Sequence, residues 1–163
     1  MKDLARAIKD RPELLGHFLG YTDLNPIHGL WIKKVWGEDK NLTLWAHRGS
    51  YKTTSLVVVG PIWYSLFNPD DPILICRKTH TNACNILAAI SKHYKSAEMK
   101  AIYHELYDIR DFRLIIDRKD RIVLPTKKSK TEEGSIDAAG TDSSITGTHY
   151  PRIHTDDIIT IKD

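Results

Sequence analysis

The chain has 163 residues, of which 28% are charged and 41% hydrophobic. That is enough length and apolar content for one domain around its own core, and it excludes intrinsic disorder. A net charge of +3 is too small to imply a nucleic-acid partner by itself. The apolar runs are too short to span a bilayer, and the N-terminus, MKDLARAIKDRPELL, lacks the uninterrupted apolar core of a signal peptide.

In chain order, apolar positions at Leu4, Ala7, Ile8, Leu14, Leu15 and Phe18 predict two short helices broken at Pro12. Residues 21–27 read as a turn-rich connection. His28 to Trp36 sets Leu30, Trp31, Val35 and, at its margin, Ile32 on one helical side and Lys33 and Lys34 on the other. After a loop at 37–41, a strand is expected at 42–46, a loop at 47–51, and a helix from Lys52 to about Leu66. Gly60-Pro61 should kink or break that helix. The β-branched run Val57–Val59 suits it only if several faces are buried.

Asn68 to Pro72 is a turn. Ile73 to Arg77 (ILICR) is a continuous apolar run, expected as a strand covered on both faces. Thr79 to Lys95 predicts a helix with a threonine cap and an apolar stripe of Ala83, Ile86, Leu87 and Ile90. A helix follows at 97–107. Phe112 to Asp117 and Arg121 to Leu124 form a strand pair. Strands at 135–139 and 152–155 flank the polar loop GTDSSITGTHY, and the last one runs into Asp156-Asp157.

Alternating strands and helices indicate an α/β fold with a mainly parallel sheet flanked by helices. Such sheets bind ligands at the carboxyl ends of their strands. The 47–54 loop and Asp156-Asp157 both follow predicted strands, which would set them on one edge. Cys76 and Cys84 are expected as buried thiols of a reducing compartment. His149 and His154 lie near Asp156, but no HxxxH or CxxC spacing supports a metal site there.

The stretch LTLWAHRGSYKTTS has the order of a phosphate-binding loop: apolar lead-in, compact turn, Lys-Thr, helix. His47, Arg48, Gly49, Ser50, Tyr51, Lys52, Thr53 and Thr54 would wrap the phosphates. Lys52 reaches the terminal ones and Thr53 holds magnesium. The usual pattern is G-x-x-x-x-G-K-S/T, and here Ala46 and Tyr51 stand where its glycines belong. A tyrosine before the lysine must find a permitted conformation or store strain. Asp156 offers a second magnesium ligand, Asp157 a group to orient water, and Arg48 a positive charge in cis.

These segments resemble the N-terminal ATPase domain of the large terminase subunits that package DNA into tailed-phage capsids. The resemblance rests on AHRGSYKTTS as a variant Walker A loop with an upstream arginine and on ICRKTHTNACNIL as the next strand and helix. It rests also on DSSITGTHYPRIHTDDIIT as polar loop, Walker B strand and acidic pair. NPIHGLWIKKVW is similar to the segment that helps enclose adenine.

The resemblance covers residue 25 to the end. It implies a P-loop core over 42–163 behind a helical lead-in over 1–41, with ATP and Mg2+ as cofactors. Lys52, Arg48 and Asp157 would be catalytic, and Thr53 and Asp156 would be the metal ligands. The implied partners are double-stranded DNA, the portal protein, the small terminase subunit and further copies in a ring. The implied location is the host cytoplasm, with no membrane and no secretion.

Asp157 stands where the family has a glutamate, one methylene longer. The nuclease domain of the family has no counterpart here, so no nuclease activity is expected. The sheet should be incomplete at its C-terminal side and expose apolar surface there. Residues 110–130 hold eight basic residues (Arg110, Arg113, Arg118, Lys119, Arg121, Lys127, Lys128, Lys130) that could follow a phosphate backbone. A helicase-like P-loop ATPase and a non-hydrolysing nucleotide- or DNA-binding remnant remain the alternatives.

Overall fold

Two prolines fix helix starts in the N-terminal third. Helix α1 spans Lys2–Asp10, and Pro12 opens α2, Pro12–Phe18. Pro26 opens α3, Pro26–Gly37. Proline is tolerated at a first helical position, where its missing N–H would have had no intrahelical partner. The break expected at Pro12 is there, while α3 starts inside the expected 21–27 connection. The reason is Asn25, whose side chain accepts the Ile27 N–H at 3.1 Å while its own N–H donates to His28 Nδ1 at 3.0 Å. That is a capping box with histidine in the acceptor role of the usual glutamate.

The computed structural model describes residues 2–38, 41–143 and 147–158. The chain forms two compact units, Met1–Phe67 with Ser96–Phe112, and Asn68–Lys95 with Arg113–Asp163.

The first unit is helical. A continuous helical stretch begins at Lys52, runs as a π-helix over Thr54–Val59 and continues as α4, Gly60–Phe67. The kink or break expected at Gly60-Pro61 is resolved as a change of register. In the π-helix the Gly60 N–H bonds Ser55 O, five residues back. The next bond in that register would run from residue 61 to Leu56 O, and proline has no N–H to give. Trp36 Nε1 donates to Leu56 O instead, at 2.9 Å, so the buried carbonyl is satisfied. Val57, Val58 and Val59 are all buried, the condition for a β-branched run in a helix. Trp63 Nε1 donates to Ile8 O at 2.9 Å, tying α1 to this helix. Helix α6, Ala97–Tyr107, belongs to the same unit, and its Tyr107 hydroxyl donates to Leu66 O.

The second unit is an α/β layer. Its strands are β1 (Ile73–Arg77), β2 (Ile116–Asp117), β3 (Arg121–Val123), β4 (Ile136–Gly140) and β5 (Arg152–Asp156), in the order β2-β3-β4-β1-β5. β1 pairs in parallel with both β4 and β5, while β2–β3 and β3–β4 are antiparallel. The sheet is therefore mixed where a mainly parallel one was expected. The short 118–120 connection permits only a hairpin, because a parallel pairing needs a long crossover. β1 is buried along its apolar run, as a central strand should be.

Helix α5, His80–Tyr94, packs on β1 and β4 with Ala83, Cys84, Leu87 and Ile90 buried, and Thr79 caps it by accepting the Asn82 N–H at 3.2 Å. Cys76 and Cys84 are free and buried, and burial pushes both thiols up. Exposed apolar side chains toward the C-terminal end are found at Ile153 and Ile158. No helix among the described residues is long and apolar enough to cross a membrane.

The expected strand at 42–46 does not form. A strand exists through its ladder, and no described strand pairs with this segment. Trp45 is 92% exposed and Leu42 50%. The phosphate-loop sequence therefore follows irregular chain, and the expectation that a strand delivers it to a sheet edge is withdrawn.

Candidate functional site

The loop after Trp45 is shaped by two left-handed residues. Gly49 has φ +83° and Tyr51 has φ +54°. Glycine adopts this region freely, whereas a tyrosine there crowds its Cβ against the backbone at a cost of about 1–2 kcal/mol. Position 51 is where the phosphate-loop pattern calls for its second glycine. The sequence question about Tyr51 thus has a physical answer: it takes the glycine conformation and stores the strain.

Residues upstream contact this part of the loop. Tyr51 Oη donates to Asp23 Oδ2 at 2.9 Å, and its ring meets His28 edge-on at 6.2 Å between centroids. His28 Nδ1 accepts the Asn25 N–H, so the ring proton is assigned to Nε2, which donates to Ser50 O at 3.1 Å. His47 Nδ1 donates to Arg48 O at 2.9 Å, and the Ser50 N–H to His47 O at 3.3 Å.

On the far side, Tyr51 O accepts both the Ser55 N–H at 2.8 Å and Ser55 Oγ at 2.9 Å, which closes the first helical turn. Lys52 and Thr53 are half-buried in that turn, at the positive end of the helix dipole. Arg48 and Gly49 are exposed. Ser50 Oγ is buried without a hydrogen-bond partner, an orphaned polar atom inside the loop. Loop, helix start and orphaned hydroxyl are a fitting set for a phosphate group.

The acidic pair lies in the second unit. β1 and β5 run in register with Arg77 opposite Asp156. Arg77 Nη2 reaches Asp156 Oδ2 at 3.2 Å and Asp157 Oδ2 at 2.9 Å. The Asp156 side chain is 4% exposed and that of Asp157 68%. Asp157 also has a positive φ, +50°, so the chain turns sharply as it leaves the strand. The hydroxyl of Thr53 and the carboxylate of Asp156 are hard oxygen donors of the kind Mg2+ takes, but Asp156 already neutralises a guanidinium. Among the described residues, no group of three or more His, Cys, Asp or Glu side chains could hold a metal ion. With no strand over 42–46, the expectation that the loop and the acidic pair follow strands of one sheet edge loses its first strand.

A cavity of about 240 Å³ lies on the second unit, lined in part by His80, Arg121, Asp137, Ala138 and Tyr150. Asp137 is buried and fully bonded: it accepts Arg121 Nε at 2.8 Å and Nη2 at 3.1 Å, the Gly134 N–H at 2.9 Å and the Tyr150 hydroxyl at 2.7 Å. Burial, then the bond to Asp137, pushes the Tyr150 phenol well up. This network takes Arg121 out of the basic stretch. Lys127 donates to Thr131 Oγ1 at 3.0 Å and to Glu133 O. Arg113, Arg118, Lys119, Lys128 and Lys130 are exposed on this unit.

Sequence reasoning missed Asp23, His28 and Arg77. Asn-Pro-x-His is a readable capping signal for His28. Arg77 was visible only as the polar end of an apolar strand. Asp23 meets Tyr51 across 28 residues, and no local pattern announces that. Comparison with protein-family models, with curated proteins and with solved structures returns no match.

Proposed function

We propose that the chain is an ATP-hydrolysing motor subunit, or a fragment of one, that packages viral double-stranded DNA in the manner of the large terminase subunits it resembles. One observation carries the reading: two left-handed residues, Gly49 and Tyr51, stand directly ahead of a helix that opens on Lys52-Thr53. Such a turn aims backbone amides at an anion. A tyrosine kept in a glycine conformation at this point is a cost that an ordinary loop would not carry.

In this reading the 47–54 loop wraps the phosphates of ATP. Lys52 neutralises the terminal ones, Arg48 supplies positive charge in cis, and Asp157 orients the attacking water. Thr53 and Asp156 would hold Mg2+, which when bound neutralises phosphate charge. The partners that go with it are DNA, the portal protein, the small terminase subunit and further copies of the chain. Arg110, Arg113, Arg118, Lys119, Lys128 and Lys130 are exposed cations that suit a phosphate backbone. The double ion pair of Arg77 with Asp156 and Asp157 favours a second reading, a chain that binds nucleotide without hydrolysing it.

Magnesium-dependent ATP turnover by the purified chain tests the first reading. Lys52→Ala and Asp157→Asn should each lower it by about 100-fold or more. Turnover that survives Lys52→Ala contradicts the site, and nucleotide binding with no turnover selects the second reading.

A further inference from the structure

We infer that Asp23 and His28 are positioning residues for the phosphate loop, forming a latch that holds Tyr51 in the left-handed conformation glycine would otherwise supply. The inference rests on the nucleotide-site reading and adds to it residues outside the loop motif.

Tyrosine avoids positive φ, so a loop that needs φ +54° at position 51 must be held there by something else. The holding groups come from the turn before α3 and from its first residues. Asp23 is exposed, and its carboxylate accepts the Tyr51 hydroxyl. His28 is 5% exposed and cannot swing. Its Nδ1 is fixed by the Asn25 N–H, and its ring meets Trp31 edge-on at 5.1 Å between centroids. From that fixed ring, Nε2 holds the Ser50 carbonyl, and the ring stands T-shaped to that of Tyr51. The latch therefore grips both sides of the Ser50–Tyr51 peptide link, where the chain turns left-handed ahead of Lys52.

The conformation depends on Asp23 only while residue 51 resists it, and that dependence is testable. Mg·ADP affinity is measured by calorimetry on the full chain for wild type, Asp23→Ala, Tyr51→Gly and the double variant. Amide hydrogen exchange over residues 49–53 is followed without nucleotide. Asp23→Ala should weaken binding by about fivefold, one hydrogen bond's worth, and speed exchange in the loop. Tyr51→Gly supplies the background in which residue 51 takes positive φ without a latch. In the Tyr51→Gly background, Asp23→Ala should change affinity by less than about twofold, because both the hydroxyl that Asp23 accepts and the strain it restrained are gone.

Equal loss in both backgrounds, or none in either, overturns the latch while leaving the nucleotide site standing. A wild-type chain that binds no nucleotide overturns the nucleotide site. Loop exchange unchanged by Asp23→Ala overturns the latch whether or not nucleotide binds. Asp23 is exposed, so a melting curve suffices to confirm that its variants fold.

Discussion

Tyr51 concentrates the chemistry of this chain in one dihedral angle. Its hydrogen bond to Asp23, then the negative charge of that carboxylate, push its phenol above the ordinary value of 10.0. A folded-state pKa raised above the unfolded one means the bond contributes at neutral pH and is lost only as pH rises through the raised value. Phenolate absorbance should therefore show a late-titrating tyrosine in wild type that moves toward 10.0 in Asp23→Ala. Arg121 makes a contrasting prediction. Asp137 is 4% exposed, and Arg121→Leu would leave its carboxylate buried with no cation. Loss of one partner of a buried pair costs about 3–5 kcal/mol. The bonds from Tyr150 and Gly134 persist, so the lower end of that range is expected in a urea unfolding curve.

Among the elements, the π-helix is the one most tightly specified. Gly60 lies against the indole of Trp36, and a Cβ there would come within 2.2 Å of Nε1 and 2.6 Å of Cδ1. The ring cannot yield without giving up its bond to Leu56 O. Gly60→Ala should destabilise the first unit by about 1–3 kcal/mol, as overpacking does, read as a lower melting temperature.

The same element shows what the sequence could reveal. Helices were legible where the signals are local: Pro12 breaking the first pair, Thr79 capping α5, the helix expected at 97–107 matching α6. The strand pair at 112–124 was legible because its turn lies between its own halves. The 42–46 segment failed because alternation predicts only a capacity for pairing, and its ladder partner must come from elsewhere. A kink or break is expected at Gly60-Pro61 because chain chemistry alone does not reveal that Trp36 will satisfy the freed carbonyl 20 residues away. The loop itself was legible as a phosphate-loop variant, but its support was not. Arg77 and Asp157 meet across 80 residues, and Tyr51 and Asp23 across 28.

For the whole molecule, the two units should answer acid differently. Asp70 is held below 3.8 by the N–H groups of Ser129 and Lys128, Asp117 below 3.8 by Lys95, and Glu133 below 4.5 by the His149 N–H. All three lie in the second unit. A depressed folded-state pKa gives stability that is present above the unfolded value and lost as pH falls through the folded one. Below about pH 4, amide exchange should therefore rise in the second unit before the first. Equal loss in both units at the same pH would contradict that account.

The central claim is that the 47–54 loop is a nucleotide site. It is tested most directly by titrating Mg·ADP into the isotope-labelled chain and following backbone amide resonances. The account predicts saturable shifts concentrated at residues 48–54, abolished by Lys52→Ala. No shift there at saturating nucleotide, or shifts that persist in Lys52→Ala, would contradict it.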